Sequence, residues 1–540
     1  MQNKYWIIDT NDLSKVKDIF IGYTVSDDGE LFLNRKPTNL DGTGCYTYIE
    51  HSSDKITIGQ DFLGMQGIYH YKNENRNIFS NGYEKIVNYI LGFNYQITLD
   101  KNFCIQYIFS NEEPVNMYDT LLNEIKRVGK DYEIEINLIT KEVNFKEKDY
   151  EINSIKLDSK EAIEILDKWH SKWCNLYRNL VKLDSPLIFD LSGGMDSRIC
   201  FGLLLNSNID KKNIIIKRNV PAKNSYNKNN EDWDISQEIV NKFKYDDRCN
   251  LKFCESIKPN KEENNIPIFE EFDNLIYGNS KPCDYEAAKF SKPIYHINGI
   301  YGDRNHLGDK NEIKNFRRHK KIKFEKDMKK EDIKILSDMM DKYTEIITKK
   351  YEAKNIPLFL GEFLFEFINR FYGEKISLKI FHNDIMISPL ADSSLNKIQI
   401  QLDGSNDYYT LYCLIYIRYF PELIHFKFQD DGYPRIFSEE EIKFAKLQCE
   451  KYQLQKVEYD FIPDLTSENK IVYKQKYSIE KIKKILEKRL KDAENTFVDI
   501  FGKEYFDLAI RDLNKENIKM QNYMTPIVSI CSILNKINKK

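Results

Sequence analysis

Apolar positions along this chain follow one rhythm before about residue 155 and another after it. In the first part, short apolar runs alternate with turn signals. Glu30-Leu-Phe-Leu-Asn34, Gly44-Cys-Tyr-Thr-Tyr-Ile49, Lys55-Ile-Thr-Ile-Gly59 and Gly67-Ile-Tyr-His-Tyr71 each read as a strand. Asp-Asp-Gly at 27–29 and Lys-Asn-Glu-Asn at 72–75 supply hairpin turns. A helix over 84–91 interrupts the strands, and runs at 132–136 and 142–145 form a last hairpin. Residues 1–150 are therefore expected to make an antiparallel, β-rich domain.

After residue 155 the period lengthens. Ser159-Lys-Glu-Ala162 opens a helix reaching about Lys182, with Ile163, Leu166, Trp169, Trp173, Leu176 and Leu180 at helical spacing. An apolar strand, Pro186-Leu-Ile-Phe-Asp-Leu191, runs into Ser-Gly-Gly-Met-Asp-Ser and a further helix. The strand Asn213-Ile-Ile-Ile-Lys217 and a helix over 232–243 continue the alternation, which implies a parallel sheet. From about 330 onward the pattern is helical, with amphipathic segments near 331–352, 357–372, 407–420 and 478–494. No internal repeat is present.

A chain of 540 residues exceeds what one core organises, so 1–150 and 155–535 are read as separate domains. Apolar residues at 41% and charged residues at 31% describe a soluble globular protein. The formal charge of −3 gives no electrostatic reason to expect nucleic acid as a partner. The most membrane-like stretch, 408–420, is too short to span and contains Arg418, so it reads as a buried aromatic helix. The first residues lack the apolar run of a signal peptide, and the 10 cysteines include no C-x-x-C pair. Cys249 and Cys254 lie closest together without completing a metal set. Reduced thiols and a cytoplasmic location are the expectation. The basic segment 310–330, with Arg317 to Lys321 in succession, reads as a solvated face or loop ahead of a polyanion site.

The chemistry concentrates in Leu187-Ile-Phe-Asp-Leu-Ser-Gly-Gly-Met-Asp-Ser-Arg198. A strand ends at Leu191, the chain turns at Gly193 and Gly194, and a helix starts at about Asp196. Adjacent glycines let backbone approach an anion, and the helix start offers N–H groups and a favourable dipole. Ser192 and Ser197 add hydroxyls, and Asp196 can hold a magnesium ion that bridges phosphate oxygens. It is a polyphosphate cradle, and it is not a Walker loop, because no G-x-x-x-x-G-K-[ST] string occurs.

This string resembles the S-G-G-x-D-S pyrophosphate loop of the N-type ATP pyrophosphatases, which cleave ATP between the α and β phosphates. Further segments resemble the asparagine-synthetase family. His296-Ile-Asn-Gly-Ile-Tyr-Gly-Asp303 is similar to its second pyrophosphate loop through Gly299, Gly302 and Asp303, although Arg304 replaces an acidic residue. Ile387-Ser-Pro-Leu-Ala-Asp392 is similar to its Pro-Phe-Leu-Asp string. Tyr419-Phe-Pro-Glu-Leu-Ile-His-Phe-Lys427 resembles the segment carrying its catalytic lysine, which puts Lys427 in that place. Gln60–Tyr71 and Ser80–Ile86 are similar to parts of its class II amidotransferase half.

The resemblance implies an Ntn-hydrolase-like antiparallel β-sandwich, followed by an adenine-nucleotide α-hydrolase-like domain with a helical C-terminal part. It implies ATP and Mg²⁺ as cofactors, Asp196 and Asp303 sharing the metal, and Lys427 and Asp303 as catalytic. The β and γ phosphates would lie on Ser192 to Ser197, next to Leu191. A carboxylate would be adenylated, with release of pyrophosphate, and passed to ammonia or an amine. Position 2 is Gln2 where the family's glutaminases carry a cysteine, and Cys45 cannot present an α-amine. The first domain is therefore expected to lack glutaminase activity, as in the β-lactam synthetases. Aspartate, a natural-product precursor, a peptide side chain and a glycan uronic acid all stay open as the carboxylate, and Arg198 after the loop favours a specialised one. Two rival classes are a thiolating or other RNA-modifying enzyme with the same loop, and a non-catalytic nucleotide-binding relative. The sequence leaves room for a homodimer.

Overall fold

The computed structural model describes residues 5–74, 76–109, 118–148, 155–183, 187–210, 214–218, 231–245, 293–300, 327–353, 380, 384–399, 401–402, 405–406, 408–429, 437–454, 479–515 and 523–539. The N-terminal strands are β1 (Ile7–Asp9), β2 (Ile19–Val25), β3 (Leu31–Leu33), β4 (Gly44–His51) and β5 (Lys55–Gln60). Then come β6 (Tyr69–Asn73), β7 (Arg76–Ser80), α1 (Tyr83–Gly92), α2 (Lys101–Phe109), β8 (Ile125–Arg127), β9 (Tyr132–Asn137) and β10 (Val143–Glu147). They form an antiparallel four-stranded sheet, β1-β7-β6-β8, and an antiparallel six-stranded sheet, β10-β9-β5-β4-β2-β3. Ile8 and Phe79 of the first sheet share one core with Ile21, Ile49, Ile56, Ile58, Ile134 and Ile136 of the second, so the two sheets face each other. The antiparallel region expected from the alternating pattern is present.

The second region contains β11 (Ile155–Lys156), α3 (Lys160–Lys182), β12 (Leu187–Asp190), α4 (Met195–Asn206), β13 (Ile214–Lys217) and α5 (Glu231–Lys242). It continues with β14 (Ile294–Ile297), α6 (Lys330–Ala353) and β15 (Asp384–Ile387). Its later helices are α7 (Tyr408–Tyr419), α8 (Glu439–Lys451), α9 (Ile479–Phe501), α10 (Lys503–Leu513) and α11 (Met524–Asn538). A wholly parallel sheet of order β13-β12-β14-β15 lies at its centre. The Ser159 side chain caps α3 by accepting from Ala162 N, and α3 packs Tyr177 edge-on against Phe189 of β12. The chain is thus mixed α/β, with the 357–372 segment lying outside the described residues.

Several contacts among the described residues tie the regions together. Gly29, at φ +81° in the turn between β2 and β3, rests on α3 so closely that an added Cβ would stand 2.4 Å from Lys172 O. Only a glycine takes that backbone conformation and that contact at once. Beside it, the buried Lys172 pairs with Asp392 at 3.1 Å and Asp41 at 3.2 Å, and Trp173 Nε1 donates to Asp392 at 2.9 Å. Asp392, which closes the Pro-Phe-Leu-Asp-like string, is fully buried, and it also accepts from the Ser394 N–H and hydroxyl. At the far side of the sandwich, α9, α10 and α11 share a core with α1, α2, β6 and β7. Those last helices cover the N-terminal four-stranded sheet, away from the parallel one.

Candidate functional site

The central strand β12 has its connection to β13 on one side and β14 on the other, so the crevice at its C-terminal end is the switch point of the sheet. Leu191, anchored by its N–H on Lys217 O at 2.9 Å, leads into the loop there. Ser192 and Ser197 hydroxyls lie 2.8 Å apart. Ser192 N donates to Ser197 Oγ at 3.0 Å, and Gly194 N donates to Ser192 Oγ at 3.1 Å. Gly193 N donates to Asp232 Oδ1, from the first turn of α5. A Cβ placed on Gly194 would meet only Ser192 Oγ, at 3.3 Å, so space opens beside the start of α4.

Asp196 opens α4 with its carboxylate held by the Tyr412 hydroxyl at 2.6 Å, and Tyr416 donates to Met195 O at 2.7 Å. Gly299, just past β14, lies so near that an added Cβ would be 2.6 Å from Asp196 C and Ser197 N. The chain after β14 therefore packs backbone to backbone on the start of α4. Gly302 and Asp303 lie outside the described residues.

Lys427 also comes to this loop. Gln429 N donates to Gly193 O at 3.0 Å. Arg198, with no exposed surface, donates to Gly193 O at 2.9 Å, Phe426 O at 3.0 Å and Lys427 O at 2.7 Å, while its guanidinium stacks on Phe428. Its fork is engaged by backbone carbonyls that join the 426–429 segment to the loop. The Lys427 side chain itself is 69% exposed and pairs with Glu231.

Underneath, Asp190 at the end of β12 pairs with His296 at 2.8 Å and Lys217 at 3.1 Å. Burial pushes the Asp190 carboxyl up, but His296 and Lys217 outweigh it and bring it to about 2. Sequence reasoning missed Glu231, Asp232, Tyr412 and Gln429. An acidic first turn is ordinary in helices, and tyrosines in an aromatic helix read as core, so nothing in the string marked them.

Among the described residues no group of three or more His, Cys, Asp or Glu side chains could hold a metal by itself. The seven described cysteines are free thiols, and no described helix is long and apolar enough to cross a membrane. The chain matches no known family model, and no curated protein gives a significant match to it.

Proposed function

We propose that this chain is an ATP-dependent ligase, similar in chemistry to asparagine synthetases, that adenylates a carboxylate and joins it to ammonia or an amine. The β and γ phosphates lie on the Ser192–Ser197 loop, with its N–H groups and hydroxyls as donors. Asp196 fits magnesium, which is bound through only one or two protein carboxylates: it would hold the ion, and the ion would supply positive charge against the polyphosphate. Asp303 is the proposed second carboxylate. The substrate carboxylate attacks the α-phosphate, pyrophosphate leaves, and the amine then displaces AMP from the acyl adenylate. Lys427 faces the charge that builds up on the phosphates or on the tetrahedral intermediate.

The observation that supports this reading best is the Arg198 clamp, which fixes the Lys427 segment on the same loop that offers the anion donors. A plain glycine turn would have no need of a cationic side chain delivered from so far along the sequence. A panel of carboxylates, each tested for pyrophosphate and AMP release with ammonia, primary amines or glutamine, checks it. One carboxylate class is expected to elicit pyrophosphate, and release of ADP and phosphate instead would end the reading.

A further inference from the structure

Three consecutive N–H groups of the loop already have oxygen acceptors from this chain. Ser192 N and Gly194 N are taken by the two serine hydroxyls, and Gly193 N by the Asp232 carboxylate. One residue earlier, Glu231 holds the Lys427 ammonium. Both carboxylates belong to the first turn of α5, and Asp232 Oδ1 stands 3.2 Å from where a Gly193 Cβ would be. A loop N–H that would meet phosphate and the lysine that would meet the charge developing in the reaction are therefore engaged by the same acidic turn. Asp234, also in that turn, is exposed.

We propose that Glu231 and Asp232 form an internal phosphate mimic, a latch that keeps the loop and Lys427 occupied until a polyphosphate displaces it. The inference rests on the reading that this loop takes phosphates, and adds how the site is regulated. Entry of the nucleotide exchanges the Asp232 carboxylate for a phosphate oxygen at Gly193 N–H and releases Lys427 from Glu231. The same event that fills the loop thereby frees the lysine to act. Without a polyphosphate, the lysine stays neutralised.

The test compares wild type, Glu231→Gln/Asp232→Asn and the control Asp234→Asn for binding of tripolyphosphate and of ATP by calorimetry. An asparagine oxygen still accepts from Gly193 N–H, so the loop keeps its shape while the competing charge is gone. The double variant is expected to bind both ligands about tenfold tighter, the size of one charge-assisted contact. Asp234→Asn is expected to change affinity less than about twofold, as a charge that only contributes to the general field. Lys427 acylation by a limiting amine reagent, read by mass spectrometry, should rise in the double variant without ligand. Weaker or unchanged binding in the double variant, or an equal gain in Asp234→Asn, overturns the latch, and so does no polyphosphate binding by any of the three. A gain in tripolyphosphate affinity with no carboxylate adenylated leaves the latch standing and removes the ligase reading. Adenylation by wild type with no gain in the double variant does the reverse.

Discussion

Asp61 and Asp190 are both shielded carboxylates, one in each region, and the fold moves them in opposite directions. Asp61 is fully buried in the sandwich, where burial lifts it to about 6 even though the N–H groups of Met65, Tyr46 and Leu63 point at it. Asp190, at the C-terminal end of the central strand of the parallel sheet, feels burial as well, but His296 and Lys217 carry it down to about 2. In the sandwich a polar side chain closes a turn, and its charge is incidental. At the end of β12, charge is kept and balanced next to the Ser192–Ser197 loop. The contrast separates a carboxylate held chiefly by backbone N–H groups from one held by charged side chains.

The largest expected effect sits on the chemical side. Asp196→Ala should abolish carboxylate-dependent pyrophosphate release, and Lys427→Met should lower turnover about 100-fold or more with ATP binding kept. Denaturant midpoints near wild type would show that these are losses of chemistry, and unchanged turnover in Lys427→Met would make it a surface lysine.

Next in size is the join between the regions. Burial disfavours the Lys172 ammonium, yet Asp392 and Asp41 more than offset it and raise it above the usual lysine range. Asp392 is held below the ordinary carboxylate value, its own burial being outweighed chiefly by Lys172. Lys172→Met leaves a buried carboxylate uncompensated and should cost about 3–5 kcal/mol in urea unfolding. Lys172→Met with Asp392→Leu should recover a large part of it, and no recovery would mean the pair is not the source. Because Asp392 has its carboxyl lowered by folding, its share of stability is present above the unfolded value of about 4 and lost as pH falls below it.

A third measurement addresses the sandwich alone. Folding raises the Asp61 carboxyl, so the folded state holds that proton more tightly than the unfolded chain. The stability it contributes is complete below its unfolded value of about 4 and disappears as pH rises through about 6. Whatever Asp61→Asn costs at pH 4, the variant should gain on wild type by up to about 3 kcal/mol between pH 4 and pH 7. A difference independent of pH would contradict the assignment of that shift to burial.

The smallest effect is Tyr412→Phe, which removes the hydroxyl that orients Asp196. About 1 kcal/mol is at stake, a roughly fivefold loss in kcat/KM for ATP with stability nearly unchanged. A loss confined to stability would assign the hydroxyl to packing.

What the sequence disclosed was local. The run Leu187 to Asp190, the two glycines and the following helix lie within a few residues of each other, so period and turn chemistry were enough to place strand, loop and helix. Hairpins of the first region were legible for the same reason. The contacts of Arg198 were not legible, because its partners, the carbonyls of Phe426 and Lys427, stand 228 and 229 positions away. A pattern tells that a helix has an apolar face, not what covers it, which is why the attachment of α9 to α11 to the sandwich was invisible.

That attachment has a consequence for how the molecule is made. Lys536 of α11 reaches Glu84 and Asn88 of α1, 452 and 448 positions earlier. During synthesis, the apolar surface formed by Tyr69, Ile86, Ile90 and Phe109 waits for the last helices to leave the ribosome before it is covered. A region translated before α9 to α11 is thus finished only after them. Loop closure over such separations is slow, and an exposed aromatic face in the interval invites chaperones and self-association. A stalled or clipped chain that lost α9 to α11 would carry an intact Ser192–Ser197 loop on a body that cannot close.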